Sequence, residues 1–399
     1  MIALTSRNNP KVPYDQLPLL PPPGDLETKS VLKACVRARA LLAELRTAGL
    51  LIPDQSVLIN TIPLLEAKDS SEIENIVTTH DDLFREASLG EAQDDPASKE
   101  ALRYRSALYA GVASLKRQPL TTTTAIDICR AIKAPHIDVR STPGTALINT
   151  YTGEVIYTPP QGPDHIRDLM HNWETFINEP SDLDPLVRMA IQHYQFEAIH
   201  PFSDGNGRTG RIINILSLIQ DGLLTQPTLY LSRHILRTRG DYYRLLGGVT
   251  AHGHWESWIL YVLEAVEQTS TWTTNKIRSI RDLMAHTSAH VTRSQAMPIH
   301  SRALIDAIFA QPYCRIAHLT ERSIAKRQTA SVYLKELVRL GVLQEKKFGR
   351  DKLFVNRRYI DLLANDGHTF EPYFPMGFED TAGLPGLHGF YEESEGGHA

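Results

Sequence analysis

The chain has few cysteines. Only Cys35, Cys129 and Cys314 occur in 399 residues, and they lie far apart. Their odd number and wide spacing argue against a disulfide framework, and they match no metal-ligand spacing. We therefore expect a reducing compartment and no cysteine-bound metal.

Long apolar runs are also missing. No stretch approaches the roughly 20 apolar residues that span a bilayer. The opening residues MIALTSRNNP lack the basic and then apolar pattern of a signal peptide. These features predict a cytoplasmic protein without a membrane partner.

A strong net charge is the third missing feature. The formal charge is −4, with 42% apolar and 22% charged residues, which is typical of a globular protein. A charge this small excludes a general attraction to nucleic acid, so any such attraction must be local. The length allows two or three domains.

Helical patterns dominate from Ser30 to about Trp272 and predict a mainly α-helical bundle without internal repeats. The proline-rich start predicts an extended arm rather than a packed element. The predicted divisions are an arm (1–29), an N-terminal helical region (30–110), a core (111–275), a linker helix (276–300), a winged helix-turn-helix (301–364) and an acidic tail (365–399). Much of that tail is predicted to be disordered, because it is rich in Gly, Pro and acids.

One segment of the core has a β-pattern. Apolar and β-branched residues flank Thr152-Gly153 within Ala146–Pro160, and Pro159-Pro160 ends the second run. This pattern predicts a β-hairpin.

The C-terminal part is locally basic. From Arg315 to Arg358 there are twelve Lys and Arg against four Asp and Glu, an excess of eight positive charges. Helices followed by two strands around Phe348–Asp351 predict a winged helix-turn-helix. The predicted core positions of its second helix are Val332, Leu334, Leu337 and Leu340, and the predicted groove contacts are Arg327, Gln328 and Ser331. Such a unit binds either DNA or protein, and both readings stay open.

The stretch HPFSDGNGRTGR, residues 200–211, lies between two strongly apolar segments. The first predicts a helix that ends near His200, because Pro201 disfavours helical geometry at the residue before it. The second, RIINILSLIQ, is apolar around most of its circumference, which is typical of a buried helix. The stretch is therefore predicted to be a turn between two core helices.

A turn of this kind suits a phosphate. Unpaired backbone amides at the start of a helix attract an anion. Gly205 and Gly207 allow close backbone approach, and Asn206 adds an amide donor. Arg208 and Arg211 lie on one helix face, and their guanidinium forks match phosphate oxygens.

The same stretch also contains a candidate metal ligand and a candidate general base. Asp204 is an oxygen ligand suited to a Mg²⁺ that also binds phosphates, and His200 can take a proton from a hydroxyl near neutral pH. Together these groups predict attack by a hydroxyl on a nucleotide phosphorus. The alternative is a glycine-rich turn with a capping Asp and solvated arginines.

HPFSDGNGRTGR resembles the Fic family signature HPFx[DE]GNGRxxR without departure. The resemblance implies a mostly helical fold and transfer of AMP from ATP to a Ser, Thr or Tyr hydroxyl of a target protein. It implies that His200 is the base and that Asp204 holds Mg²⁺. It also implies that Phe202 anchors the loop. A related branch that phosphorylates has Lys in place of Gly205, so the glycine favours nucleotidyl transfer.

The resemblance also implies the nucleotide contacts. Asn206 and the loop amides would hold the α-phosphate, and Arg208 and Arg211 the β- and γ-phosphates. Tyr242 and Tyr243 would lie against the adenine, unless they are packing residues of a helix. The implied ATP-binding residues are Asp204, Gly205, Asn206, Gly207, Arg208, Thr209, Gly210, Arg211, Tyr242 and Tyr243. His234, His252 and His254 are taken as ordinary histidines.

A second short motif, SSEIEN at Ser70–Asn75, matches the family's inhibitory pattern [ST]xxxE[GN] through Ser70, Glu74 and Asn75. A glutamate paired with Arg211 would remove the guanidinium that should hold the γ-phosphate. The alternative is a helix cap with a solvated glutamate. In some relatives the equivalent glutamate also positions a water that removes AMP.

The hairpin Ile148–Thr158 resembles the family's flap, which pairs with an extended segment of the target through main-chain hydrogen bonds. Val155, Ile156 and Tyr157 are candidates for contacting nucleotide or target. The alternative is a hairpin that only caps the bundle.

The implied partners are ATP, a hydroxyl-bearing target protein, the chain itself as a target, and a second copy in a homodimer. Two other functions remain possible from the sequence. One is a DNA-binding regulator that contacts DNA through 315–358 and uses the Fic domain as a nucleotide sensor. The other is a phosphotransferase.

Overall fold

The computed structural model describes residues 9–89, 95–148, 152–294, 301–348 and 351–373. Helices dominate this part of the chain, as predicted. The helices before the motif are α1 (Lys29–Ala48), α2 (Ser56–Ile59), α3 (Ile62–Ile73), α4 (His80–Leu89), α5 (Pro96–Leu115) and α6 (Thr122–Ile132). The next ones are α7 (Pro163–Asn178), α8 (Pro185–Ile199), α9 (Asn206–Gln220), α10 (Leu231–Arg237), α11 (Arg239–His252) and α12 (Trp255–Arg293).

Helix α9 lies at the centre of the bundle. Side chains around its whole circumference are buried, including Ile212, Ile213, Asn214 and Leu216. Helices α3, α5, α6 and α8 all pack against it. The all-round apolar pattern therefore correctly predicted an interior helix.

Two predicted division points fall inside helices. Helix α5 runs through 110–111, and the 39-residue helix α12 runs through 275–276. No proline interrupts either helix after its first turn, so the helical pattern has nothing to end it there. The predicted linker helix is thus the second half of α12, whose first half packs on α1 and α8.

The N-terminal arm is packed, contrary to the prediction. Tyr14, Leu17, Leu20 and Leu26 are buried in the core. The Leu20 amide donates to Oδ1 of Asn172 at 2.7 Å, and Nδ2 of Asn172 donates back to the Leu20 carbonyl at 3.0 Å. The described part of the arm follows a series of turns over the bundle and buries these apolar side chains against it.

Both strands of the predicted hairpin are present, and residues 149–151 between them lie outside the described residues. Strands β1 (Leu147–Ile148) and β2 (Val155–Tyr157) pair antiparallel, with Leu147 opposite Tyr157. The arm extends this ribbon, because the Tyr14 amide donates to the Thr158 carbonyl at 3.0 Å.

The C-terminal unit joins a three-stranded sheet to short helices. Its elements are α13 (Arg302–Ala310), β3 (Tyr313–Cys314), α14 (Ile316–Glu321), α15 (Arg327–Arg339), β4 (Gln344–Phe348), β5 (Asp351–Val355) and α16 (Arg357–Ala364). The strand order is β3-β5-β4, with both pairs antiparallel. The winged helix-turn-helix stays a prediction, and Gly349 and Arg350 of its hairpin turn lie outside the described residues.

One predicted core position of α15 is wrong. Leu334 and Leu337 are fully buried and Leu340 is half-buried, but Val332 is 61% exposed. Val332 precedes Leu334 by two residues, which is about 200° around a helix, so the two side chains point to opposite faces.

The first residues of the predicted acidic tail are packed. The buried Lys276 ammonium donates to the carbonyls of Leu362, Asn365 and Gly367 at 2.6 to 2.8 Å. These bonds tie the end of α16 and the following segment to α12. The tail from residue 374 lies outside the described residues.

Within the described ranges, no single helix is long and apolar enough to cross a membrane. The pair formed by Lys29–Leu51 and Ser56–Ile73 meets that test only when joined, across a bend of 116°.

Two leucines of the arm offer a matched test of its packing. Leu17 is 4% exposed and Leu19 is 59% exposed. Leu17→Ala should lower the free energy of unfolding by about 2 to 3 kcal/mol, because it removes buried methyl groups and leaves a cavity. Leu19→Ala should change it by less than about 0.5 kcal/mol. Denaturant unfolding measures both, and equal effects would contradict a docked arm.

Candidate active site

The motif forms the predicted turn between α8 and α9. Helix α8 ends at Ile199, and His200 takes a left-handed conformation with φ 50°. Gly205, with φ 83°, precedes the first residue of α9, Asn206. Both residues lie where the chain reverses between α8 and α9. Because both helices are buried, they fix the two ends of the turn.

Phe202 and Asn206 lock this turn. The Asn206 Oδ1 accepts from the Phe202 amide and its Nδ2 donates to the Phe202 carbonyl, both at 2.8 Å. Phe202 is fully buried against Phe196, as an anchor should be. One of the two Nδ2 hydrogens is used within the turn, and the second is the donor that the predicted α-phosphate contact would use.

The start of α9 has open backbone donors. No side chain caps this helix end, so its first amides are available to an anion. A Cβ at Gly207 would collide with Oε1 of Glu74 and lie 3.0 Å from a terminal nitrogen of Arg211. The glutamate carboxylate therefore lies directly over this helix end, in space that only a glycine leaves free.

Arg211 is buried and bonded to α3 and to the residue after it. Its Nε donates to Oγ of Ser70, and one terminal nitrogen donates to the Ser70 carbonyl and to Oε1 of Glu74, all at 2.8 Å. Burial opposes the charge on each partner. Even so, the attraction between them holds the pKa of Glu74 below and that of Arg211 above its ordinary value. Both groups are therefore ionised.

The predicted proximity of Ser70, Glu74 and Arg211 is thus present. Glu74 is the C-cap of α3, and Asn75 after it is left-handed with φ 62°. That conformation suits asparagine better than most residues.

A second ion-pair cluster flanks the turn. Arg208 is buried and pairs with Oε1 of Glu100 on α5. Lys133, just after α6, donates to the same oxygen at 2.5 Å and lies 2.9 Å from Oδ2 of Asp204. Arg208 Nε is buried and has no hydrogen-bond partner among the described residues.

His200 is half-buried beside this turn. Its pKa is lowered to about 4, first by burial and then by the Arg140 charge, although Glu74 and Asp204 act in the opposite direction. The imidazole is therefore neutral at physiological pH, the state that a base needs.

Several predicted nucleotide contacts lie elsewhere. Thr209 is buried, and Gly210 packs on Phe196 and Glu197, so neither faces the open helix end. Tyr242 is 2% exposed, with its Oη 3.0 Å from Nε2 of His193 and its ring against Trp258. For these three residues, packing is the better interpretation.

The remaining candidates are Tyr243 on α11 and the three flap residues of β2. Tyr243 is half-buried on α11, with Arg239 over its ring at 6.0 Å. In β2, Ile156 is 48% exposed and Val155 is half-buried. Tyr157 is an anchor, because its hydroxyl donates to the Ala198 carbonyl on α8 at 2.7 Å.

Comparison with known families agrees with this arrangement. The Fic/DOC family N-terminal domain matches residues 32–113, and the Fic/DOC family domain matches residues 119–218, which include the turn. The chain contains both Fic/DOC family domains. Residues 283–359 match the C-terminal domain described as protein adenylyltransferase SoFic-like.

Relatives of this Fic protein include protein adenylyltransferase fic-1 of Caenorhabditis elegans, 35% identical over 89 residues, which are 22% of this chain and 16% of that protein. Protein adenylyltransferase Fic of Drosophila grimshawi is 23% identical over 214 residues, 50% of this chain and 42% of that protein. The chain therefore spans less than half the length of these relatives.

A crystal structure of a Fic family protein from Desulfovibrio desulfuricans G20 has a similar fold. The TM-score is 0.52 at 18% identity, over 84% of this chain and 98% of that chain. The similarity in fold therefore extends well beyond residues 200–211.

The sequence did not reveal the residue that holds the end of α8 in this Fic protein. Arg140 Nε donates to the His200 carbonyl at 2.8 Å, and its NH2 group donates to the Ile199 carbonyl at 3.2 Å and to the Pro160 carbonyl. A cation at a helix C-terminus satisfies free carbonyls and complements the dipole. Arg140 lies 60 residues before His200, and no local pattern around it marks this role.

The site fits a divalent cation shared with phosphates. The Asp204 side chain is 62% exposed at the rim of the turn. The described residues contain no group of three or more His, Cys, Asp or Glu that could hold a metal. Mg²⁺ in nucleotide sites commonly takes one or two carboxylates and completes its shell with phosphates and water, and Asp204 meets that requirement.

The lowered pKa of His200 can be measured directly. Its imidazole should stay neutral as the pH falls from about 8 to about 5.5, because the charged form is destabilised by burial and Arg140. NMR titration of ¹⁵N-histidine protein measures this, with His200→Ala to assign the signal. A midpoint near the ordinary value of about 6.5 would contradict the described environment.

Proposed function

We propose that this Fic protein is a protein adenylyltransferase that transfers AMP from ATP to a Ser, Thr or Tyr hydroxyl of a target protein. The observation that carries the proposal is a neutral imidazole, His200, on the same turn as an uncapped helix start and two buried arginines. The adenylyltransferase names of relatives support the same activity.

Each group has a role in this reaction. The first amides of α9, with Arg208 and Arg211, bind the triphosphate and stabilise its charge. His200 accepts the proton as the target hydroxyl oxygen bonds to the α-phosphorus, and pyrophosphate leaves. Mg²⁺ at Asp204 would neutralise phosphate charge when bound.

The proposal includes self-inhibition by Glu74. Its carboxylate binds Arg211 and covers Gly207, so it competes with a phosphate for both the guanidinium and the helix start. In this proposal the same carboxylate would also activate a water that removes AMP, as a second activity.

Glu74→Gly tests the inhibition, with Glu72→Gly as a matched control. Both glutamates are at the end of α3 with side chains 33% exposed, but Glu72 pairs with Lys68 and not with Arg211. We expect Glu74→Gly to raise AMP transfer from α-labelled ATP with Mg²⁺ by about tenfold or more, because Arg211 is released. Glu72→Gly should leave the rate close to that of wild type.

His200→Ala in the Glu74→Gly chain tests whether the imidazole is the base. If it is, the rate of AMP transfer should fall by a factor of about 10² to 10⁴. Label from γ-labelled ATP, and not from α-labelled ATP, would indicate the phosphotransferase instead. Equal rates for wild type, Glu74→Gly and Glu72→Gly would reject self-inhibition.

A second candidate function is DNA binding by the C-terminal unit. Several of its cations are neutralised, such as Arg322 by Asp54 and Lys352 by Glu345. Lys326, Arg327, Lys335 and Lys347 are exposed and have no ion-pair partner among the described residues. Free cations at the start of α15 and on β4 favour binding to a phosphate backbone.

DNA binding can be measured with a short labelled duplex. Arg327→Glu with Lys347→Glu should weaken binding by about tenfold and lower its salt dependence, because two phosphate contacts are lost. Lys33→Glu with Arg37→Glu, the same charge change on α1, serves as the control. Salt-independent binding, or equal weakening by both double variants, would reject this function.

The other partners follow from the same proposal. The exposed Ile156 and the short ribbon suit pairing with an extended segment of a target. Self-modification and a homodimer are further parts of it, measured by mass spectrometry of the Glu74→Gly chain and by sedimentation. Three unpaired, buried cysteines support a cytoplasmic location.

A further inference from the structure

Lys133 places a positive charge beside the carboxylate that is proposed to hold Mg²⁺. Its ammonium lies 2.9 Å from Oδ2 of Asp204, the carboxylate suited to a divalent cation. The family signature does not include Lys133, which lies after α6 and far from the motif in sequence. An ammonium at this distance neutralises the carboxylate in the same way as a bound metal would.

The position of Lys133 is fixed from its other side. Oε1 of Glu100 accepts from Lys133 at 2.5 Å and also from the buried Arg208. Lys133 and Glu100 are only about one-fifth exposed, in contrast to Asp204. The ammonium is thus held between two carboxylates at the rim of the anion-binding turn, and it is not a freely moving surface lysine.

This arrangement matters for a polyanionic ligand. An unscreened Asp204 beside the turn would repel a triphosphate, and at a partly buried site such repulsion amounts to a few kcal/mol. A divalent cation removes the repulsion by binding to both groups. When no divalent cation is bound, Lys133 is the positively charged group nearest to Asp204, and it reduces the repulsion instead.

We propose that Lys133 is a further residue of the nucleotide site, which neutralises Asp204 until a divalent cation replaces it there. The inference rests on the proposed function in one respect, the identity of the ligand as ATP. A purely structural ion pair would stabilise the fold without affecting how strongly ATP binding depends on Mg²⁺.

The test is calorimetric titration of ATP into the full chain, once with EDTA and once with excess Mg²⁺. Lys133→Met should weaken ATP binding about tenfold in EDTA, because Asp204 then repels the phosphates. With Mg²⁺ the same variant should bind within about twofold of wild type, because the metal supplies the charge. Lys116→Met, an exposed lysine at the end of α5, is the control and should change neither value.

Two further variants make the result specific. Adding Asp204→Asn to Lys133→Met should restore binding in EDTA, because the repelling carboxylate is gone. Lys133→Arg keeps the charge and should retain the EDTA affinity of wild type. Thermal melting of each variant in the absence of ATP verifies that it is folded.

Other outcomes overturn the proposal in distinguishable ways. Equal weakening by Lys133→Met in EDTA and in Mg²⁺ would mean that Lys133 binds the phosphates directly. Unchanged binding in both conditions would leave the lysine with only a structural role. If the wild-type chain binds no ATP because Glu74 occupies the site, all variants are compared in the Glu74→Gly chain. Failure of that chain to bind ATP in either condition would reject the proposed function and this inference with it.

Discussion

A guanidinium buried in a helical bundle must have an anion beside it, and Arg211 is such a group. Burial alone would destabilise its charge, so the fold supplies Glu74 at 2.8 Å and the Ser70 carbonyl and hydroxyl. A phosphate placed on the same helix start would satisfy the same requirement. The resting contact and the proposed reaction are therefore two solutions of one electrostatic problem, and only one anion at a time can occupy the space over Gly207.

The contacts that hold the turn leave its backbone donors free for an anion. Asn206 closes the turn on Phe202 with its Oδ1 and one Nδ2 hydrogen, and Arg140 holds the last carbonyls of α8. These contacts fix the backbone without using the first amides of α9, which remain available. A neutral His200 next to them needs no change in protonation before it can accept a proton. The side-chain contacts of Asn206 and Arg140 thus make the site rigid without occupying those backbone donors.

The sequence predicted those features that depend on local pattern. The all-round apolar α9 and the hairpin strands follow from periodicity and turn residues, and the pairing of Glu74 with Arg211 follows from the resemblance of two motifs to the family's patterns. Contacts between distant positions were not predictable, such as Arg208 with Glu100, 108 positions apart. Nor could the sequence tell that the Asn206 side chain bonds to Phe202 within the turn. The outward position of Val332, in contrast, follows from helical periodicity, so that wrong prediction was avoidable. The packed arm was missed because its prolines indicate extension but not where its leucines dock.

Helix α3 is held by more than its apolar side chains. Glu66 is buried, with its pKa raised to about 7 mainly by burial, and it accepts from Tyr104, from the Ser232 amide and from the Ser232 hydroxyl. Asp69 accepts from the Tyr230 hydroxyl at 2.5 Å. Pulling the helix out would strand all of these polar groups in an apolar interior. In the proposed self-inhibition, release of Arg211 would therefore need only a rotation of the Glu74 side chain at the end of α3, and the helix itself would stay docked.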